Sequence, residues 1–308
     1  MNKQKTMTFF QLVSRFPNEQ SVIDYFIGSR YGRKIKCHYC GKGNKLSRMK
    51  GRPKFIQCNR CNLSFSIFKN TIFEKSSTDL VKWIFAIYQL TIVAKKGLSA
   101  LQLQRQIGVT YKTAWRMLRQ IRLAMTNDIN FELFQSIVEV DETYVGGKPR
   151  KGANKQKSKR GRGTEKVAVV GIYDRKTKKV FAQPIHRKSG QNLKGKQLLQ
   201  FIDSKTTKRA KIYTDEFRGY WILDRLKRKH FTVDHSKEFV SANGTHTNNI
   251  ECFWSLLKRM HYGTYHKISP KYMELYCGEE AFRFSNRDQM NDILDKVLYQ
   301  SVLGPKNA

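Results

Sequence analysis

Hydrophobic and polar positions alternate with two different periods along this chain, and the places where the period changes or disappears mark its parts. Residues 9 to 30 carry apolar positions at helical spacing, interrupted at Pro17. From 31 to 70 that period disappears into cysteine pairs, glycines and basic residues. Helical spacing returns from 78 to 125, where Ser77 or Thr78 is placed to cap a helix reaching about Val93, with Gly97 to stop it. From Ser136 the pattern becomes strand-like. IVEVDETYV is rich in β-branched residues and closes on Gly146-Gly147, and KVAVVGIYD and KKVFAQPIH, divided by a polar turn at Arg175 to Thr177, predict a hairpin. A helix is expected near Gly195 to Ile202, then a strand AKIYT, a helix from about Phe217 to Lys229 and a short strand near Phe231 to Val233. Helices near 249–260, 270–284 and 289–300 follow.

These boundaries predict an N-terminal helical segment (1–30), a small cysteine module (31–73), a helical module (78–127), a large α/β domain (132–288) and a C-terminal helix with tail (289–308). The 308 residues suffice for one large domain and small satellites. The longest apolar stretch, Trp83 to Ala94, contains Gln89 and Thr91 and is too short for a membrane span. Lys3 and Lys5 are not followed by the apolar run of a secretory signal. The chain therefore reads as soluble and intracellular, where thiols stay reduced.

Charge narrows the class of partner. Lys and Arg number 59 against 24 Asp and Glu, a formal net charge of +35. Such a charge repels itself unless a polyanion shares the surface, and basic residues spread over the whole length favour nucleic acid over a membrane surface. The densest run, 148 to 162, holds eight basic residues and no acid. It reads as an exposed loop whose Lys151, Lys159 and Arg160 would follow a DNA backbone.

The cysteines change the picture of the first third. Cys37-x2-Cys40 and Cys58-x2-Cys61, seventeen residues apart, can each turn two sulfurs toward one ion. Together they supply the four thiolates of a closed, structural Zn2+ site in a zinc ribbon. Cys252 and Cys277 lack such a partner and read as small, buried or half-buried side chains. In SALQLQRQIGVTYKTAWRMLRQIR, Leu103, Ile107, Val109, Ala114 and Leu118 would face inward around a turn at Gly108. That is a helix-turn-helix pattern with Thr110, Tyr111, Lys112 and Arg116 facing outward toward DNA. Gln104 departs from it, standing where a small residue is usual. A plain helical hairpin is the competing reading.

Three acids stand out by context. Asp141 lies within an apolar strand, with Glu139 and Thr143 on its own face and Glu142 on the other. Asp215 ends the strand AKIYT. Glu251 opens a helix, and Lys258, seven residues on, is displaced from it by only about 20° around the axis. His235 and His246 lie between the second and third acids and read as ordinary surface or core histidines.

VEVDETYVGG, YTDEFRGYW and HTNNIECFWSLLKR, in this order, resemble the DDE-type transposases of bacterial insertion sequences, in particular the group with an N-terminal zinc ribbon. YGTYHKISPKYMELYCGEEAFRFSNR is similar to the same family, so the resemblance spans roughly residues 10 to 287. It implies an RNase H-like mixed sheet of five strands with flanking helices. It implies two Mg2+ ions, with Mn2+ able to replace them, held by Asp141, Asp215 and Glu251. Asp141 would bridge the ions and Lys258 would meet a phosphate oxygen. In this group an Asn sometimes replaces the last acid, so Asn248, one turn before Glu251, is the rival third residue. The implied partners are transposon ends and target DNA, with a homodimer or larger assembly at synapsis, in the bacterial cytoplasm at the nucleoid. An inactive DNA-binding regulator and an RNase H-like nuclease are the competing functions.

Overall fold

The computed structural model describes residues 6–32, 34–126, 132–146, 164–187, 191–233, 244–290 and 292–303. The basic run around Lys151, Lys159 and Arg160, and His235, lie outside them. The chain divides into two compact units, Met1–Ile129 with Gln289–Ala308, and Asn130–Asp288.

In the first unit, Pro17 separates α1 (Phe9–Arg15) from α2 (Glu19–Tyr31). Each starts on a side-chain cap, Thr8 for α1 and Asn18 for α2, which satisfies free N–H groups of the first turn. Strands β1 (Leu46–Arg48), β2 (Phe55–Cys58) and β3 (Leu63–Ser66) form an antiparallel three-stranded sheet. Helix α3 (Leu80–Tyr88) is capped by Asp79, just after the expected Ser77 or Thr78, and continues as a wider turn over Gln89–Val93. Helix α4 (Ala100–Ile107) ends at Gly108, whose φ of +62° lies in the left-handed region that a side chain disfavours. Helix α5 (Tyr111–Thr126) follows, with the Thr110 hydroxyl accepting from the Thr113 amide. Leu103, Ala114 and Leu118 are buried, while Ile107 and Val109 are half-buried.

The second unit is built on strands β4 (Ile137–Val145), β5 (Val167–Asp174), β6 (Lys179–Ile185), β7 (Lys211–Asp215) and β8 (His230–Val233). Helix α6 (Gly195–Lys205) links β6 to β7, α7 (Trp221–Arg225) links β7 to β8, and α8 (Asn248–Met260) and α9 (Met273–Ser285) close the unit. The sheet order is β6-β5-β4-β7-β8. The β4–β5 and β5–β6 pairs are antiparallel, and the β4–β7 and β7–β8 pairs are parallel. This is the RNase H-like mixed sheet that the resemblance implied.

The period of two along the strands builds a core on each face. Val138, Val140, Ala168, Val170 and Ile172 pack with Leu198, Phe201, Tyr220 and Leu223 from the α6–α7 side. Val145, Val169, Tyr173 and Ala182 pack with Ile250, Phe253, Trp254, Leu257 and Phe284 from α8 and α9.

Three local expectations change. The helix expected over Phe217 to Lys229 is a tight turn at Arg218–Tyr220 followed by the five-residue α7, and Lys227 leaves it with a φ of +52°. Helix α10 (Ile293–Leu303) is part of the first unit, packing on α2, α3 and α5, because Ile293, Leu294, Val297, Leu298 and Val302 form one fully buried stripe. Cys277 is buried, but Cys252 is exposed, on the side of α8 turned away from Ile250 and Trp254.

Candidate active site

Strand register brings two distant acids together. Along the β4–β7 pair Glu139 stands beside Tyr213, and the same register continued by two residues sets Asp141 beside Asp215. Both belong to the sheet face covered by α8. Glu142, on the opposite face, nevertheless joins them: carboxylate oxygens of Asp141, Glu142 and Asp215 all lie within 4.8 Å of one another. The alternation of the strand placed Glu142 away from the site. It reaches it because β7 ends at Asp215, so β4, still paired with β5 on its other side, has no partner on the β7 side there and side chains from both faces can turn around that edge. The Tyr220 hydroxyl, fully buried, donates to Glu142 Oε2 at 2.8 Å. Burial, then the charges of Glu142, Asp141 and Asp215, hold that phenol well above its ordinary range, so it remains a neutral donor.

Asp141 is fixed by α8. The Trp254 indole N–H donates to its Oδ2 at 3.0 Å. The indole reaches it by lying across Gly171, the β5 residue paired with Asp141. A Cβ there would fall 2.7 Å from the indole ring and 3.0 Å from Ile250 Cδ1. Burial, then the neighbouring charges of Glu142 and Asp215, push the Asp141 carboxyl well above the usual carboxylate range. Three acids that repel one another in a partly dry corner suit a hard divalent cation. Asp141, Glu142 and Asp215 would offer such an ion hard carboxylate oxygens gathered in one place.

Glu251 is not part of that trio. It is exposed on the first turn of α8 and accepts from the Thr247 hydroxyl at 2.9 Å. Asn248 and Lys258 are exposed on the same helix. The start of α8 is held by Glu139, which the strand alternation marks only as a neighbour of Asp141 on its face. Glu139 is fully buried. Its Oε2 accepts from the backbone amides of Asn249 (2.9 Å) and Ile250 (3.1 Å), and its Oε1 from Asn249 Nδ2 and Arg175 Nε (both 2.7 Å). It thus caps a helix whose own preceding residue, Thr247, supplies no side-chain cap. Arg175 also donates to the His246 carbonyl at 2.9 Å. His246 stands beside this cluster, and burial, followed by the Arg175 charge, lowers its pKa, favouring the neutral ring. Glu139 thus caps α8, while Asp141 and Glu142, two and three residues further on, meet Asp215 in the acid cluster.

The domain from 134 to 285 matches the ISXO2-like transposase domain. An uncharacterized transposase-like protein of Haemophilus influenzae is 34% identical over 113 residues, covering 37% of this chain and 89% of that one. The chain belongs to the ISXO2-like insertion-sequence DDE transposases. This transposase also has a loose likeness to the strand transfer complex of Mos1 (12% identity, TM-score 0.29, 71% of this chain and 77% of that one). The Mos1 transposase paired-end complex with the left transposon end gives 11% identity and a TM-score of 0.29, over 72% of this chain and 79% of that one. The RNase H-like fold is shown by the sheet order β6-β5-β4-β7-β8 itself. Membership in the family implies use of a divalent metal, and the acid trio fits one.

The four cysteines of this transposase meet in the ribbon. Cys37, Cys40, Cys58 and Cys61 form one cluster of free thiols, with Cys37–Cys61 and Cys40–Cys58 sulfurs 3.7 Å apart. A tetrahedron with metal–sulfur distances of about 2.3 Å has edges of about 3.8 Å, so the spacing fits a four-thiolate site. The Cys61 amide, and behind it that of Arg60, draws the Cys58 thiol down to about 6, toward the thiolate a metal needs.

Around the α4–α5 turn, Thr110, Tyr111 and Lys112 are exposed. Arg116 is half-buried instead, because its guanidinium donates to the Glu74 carbonyl at 2.7 Å. Gln104 does not close the packing there. It lines an open groove of about 650 Å³ with Asp79, Lys82, Thr110 and Thr113. No helix among the described residues is long and apolar enough to cross a membrane.

Proposed function

We propose that this chain is a DNA transposase that binds insertion-sequence ends, cleaves phosphodiester bonds there and joins the freed 3′-hydroxyls to target DNA. The observation that carries the reading is the meeting of Asp141 and Asp215, seventy-four residues apart in sequence, at one end of adjacent parallel strands. When bound, two Mg2+ ions (or Mn2+) would supply an activated water and a stabilised leaving oxygen. Asp141 and Asp215 hold the metal-facing oxygens, and Trp254 keeps Asp141 oriented by its N–H. Helix α8 brings the remaining groups. Glu251 completes the acid set, with Asn248 as its rival, and Lys258 meets a non-bridging phosphate oxygen.

The helix-turn-helix, through Thr110, Tyr111 and Lys112, touches the transposon end. Arg116 contributes only on leaving Glu74. The net charge of +35 supports a polyanionic partner, and the basic run with Lys151, Lys159 and Arg160 follows the DNA backbone. The ribbon binds one structural Zn2+ through its four cysteines. Joining two ends requires two bound ends, so the active assembly is a homodimer or larger, working on DNA in the bacterial cytoplasm.

Purified protein with Mg2+ and DNA carrying the element's inverted-repeat ends tests the reading. Nicking and joining are expected, and Asp141→Asn should abolish both while keeping DNA binding. Binding without nicking would favour a regulator, nicking without joining a nuclease, and cleavage by Asp141→Asn would refute the site.

A further inference from the structure

We propose that Glu142 is itself a metal-holding acid of this site, so that the first divalent ion is taken by Asp141, Glu142 and Asp215 on the sheet and does not need Glu251. The inference rests on the reading of the acids as a metal site and deepens it. Three observations carry it. The three carboxylates form one cluster within 4.8 Å, and Glu251 is not among them. Glu142 is buried, yet its side chain turns to the open edge of β4, toward two further acids. The Tyr220 hydroxyl, on a turn immediately after β7, holds its carboxylate at 2.8 Å.

The bland alternative is a buried acid that merely anchors Tyr220. A neutral partner such as Gln or Asn would serve that purpose without placing a third negative charge beside Asp141 and Asp215. A cation between the three turns that repulsion into attraction and gives the hard oxygen set that Mg2+ and Mn2+ prefer. Tyr220 is then a positioning residue. It fixes one carboxylate in the way outer partners of metal ligands commonly do. Glu251 and Asn248, on α8, are left for a second ion or for the DNA-bound state.

The test is titration of the full, zinc-loaded chain with Mn2+ alone, without DNA, following free Mn2+ by electron paramagnetic resonance. Glu142→Gln keeps the shape and an acceptor for Tyr220. It is expected to weaken binding of the first Mn2+ about tenfold or more, as Asp141→Asn does. Glu251→Gln is expected to leave that affinity within about twofold, and Tyr220→Phe to weaken it by roughly tenfold. Melting temperatures without added Mn2+ confirm that each variant is folded, and Glu142→Asp, which withdraws the charge by one methylene, replaces Glu142→Gln if the latter does not fold. Wild-type affinity in the Glu142 variant, with loss in Asp141→Asn, overturns the role of Glu142 and leaves the site standing. Wild-type affinity in Asp141→Asn overturns both.

Discussion

Removing the Glu139 side chain tests whether a buried carboxylate sets the position of α8. In Glu139→Ala the amides of Asn249 and Ile250 and the Asn249 side chain lose their acceptor, and Arg175 loses its ion partner, all around a site with no solvent exposure. Breaking a buried, hydrogen-bonded pair by deleting one member costs about 3–5 kcal/mol, because the charge left behind stays unpaired. Arg175 retains partial exposure and its bond to the His246 carbonyl, which puts the expected loss toward the lower end. For a unit of this size a loss of that order lowers the melting temperature by roughly 10 °C. Glu139→Gln keeps the shape but removes the charge, and about 1.5–3 kcal/mol should go, the worth of hydrogen bonds to a charged group. Urea unfolding measures the loss, and hydrogen exchange locates it: the amides of Asn249 and Ile250 should lose protection first. Because α8 also carries Trp254 and Glu251, strand transfer should fall even where the protein remains folded. A loss below about 1 kcal/mol in Glu139→Ala, with those amides still protected, would refute the reasoning.

Other perturbations probe the same unit and the ribbon. Gly171→Ala should displace the Trp254 indole at a cost of about 1–3 kcal/mol, seen as a changed Trp fluorescence spectrum, since the new Cβ would lie 2.7 Å from the ring; an unchanged spectrum and stability would count against the packing described. Glu280, buried on α9, has its carboxyl raised to about 7, by burial first and by Glu279, with Arg283 opposing. A raised folded pKa means that stability is complete below the unfolded value near 4.5 and is lost as pH rises toward 7, roughly 3 kcal/mol at about 1.36 kcal/mol per pH unit. Glu280→Gln should therefore flatten the stability profile between pH 5 and 8, and a parallel profile in wild type and variant would contradict it. Cys58→Ser should reduce bound zinc from one equivalent to a fraction by elemental analysis, and full retention would remove Cys58 from the site. Trp254→Phe should leave the fold intact and lower strand-transfer activity by losing the N–H to Asp141, whereas full activity would make that bond incidental.

Much of this was legible before any coordinates. The strands of the hairpin and the turn at Gly108 rest on local signals, β-branched alternation and a residue free to take positive φ, and the five-stranded mixed sheet was implied by the family resemblance of three motifs in order. The Cys-x2-Cys pairs are legible for the same reason, because two residues of spacing already constrain where the sulfurs can point. Illegible were the parts set by partners far along the chain. Arg116 has the spacing of an outward residue, but the Glu74 carbonyl takes its guanidinium. The apolar stripe of α10 announces burial without saying on which unit, and it is satisfied by α2, α3 and α5.

The amino-acid sequence by itself determined which residues carry charge and metal-binding atoms, where chain direction turns, and that Asp141 and Asp215 end up on strands of one sheet. Tertiary structure decided the task of each acid within VEVDET. Glu139 and Asp141 share a face, yet one caps α8 and the other meets Trp254 and Asp215, while Glu142, on the opposite face, joins Asp141. The physical reason is that alternation assigns a side chain to a face, but the length of the neighbouring strand decides whether that face is closed. Because β7 stops at Asp215, the edge of β4 is open there, and a residue from the far side can turn into the site.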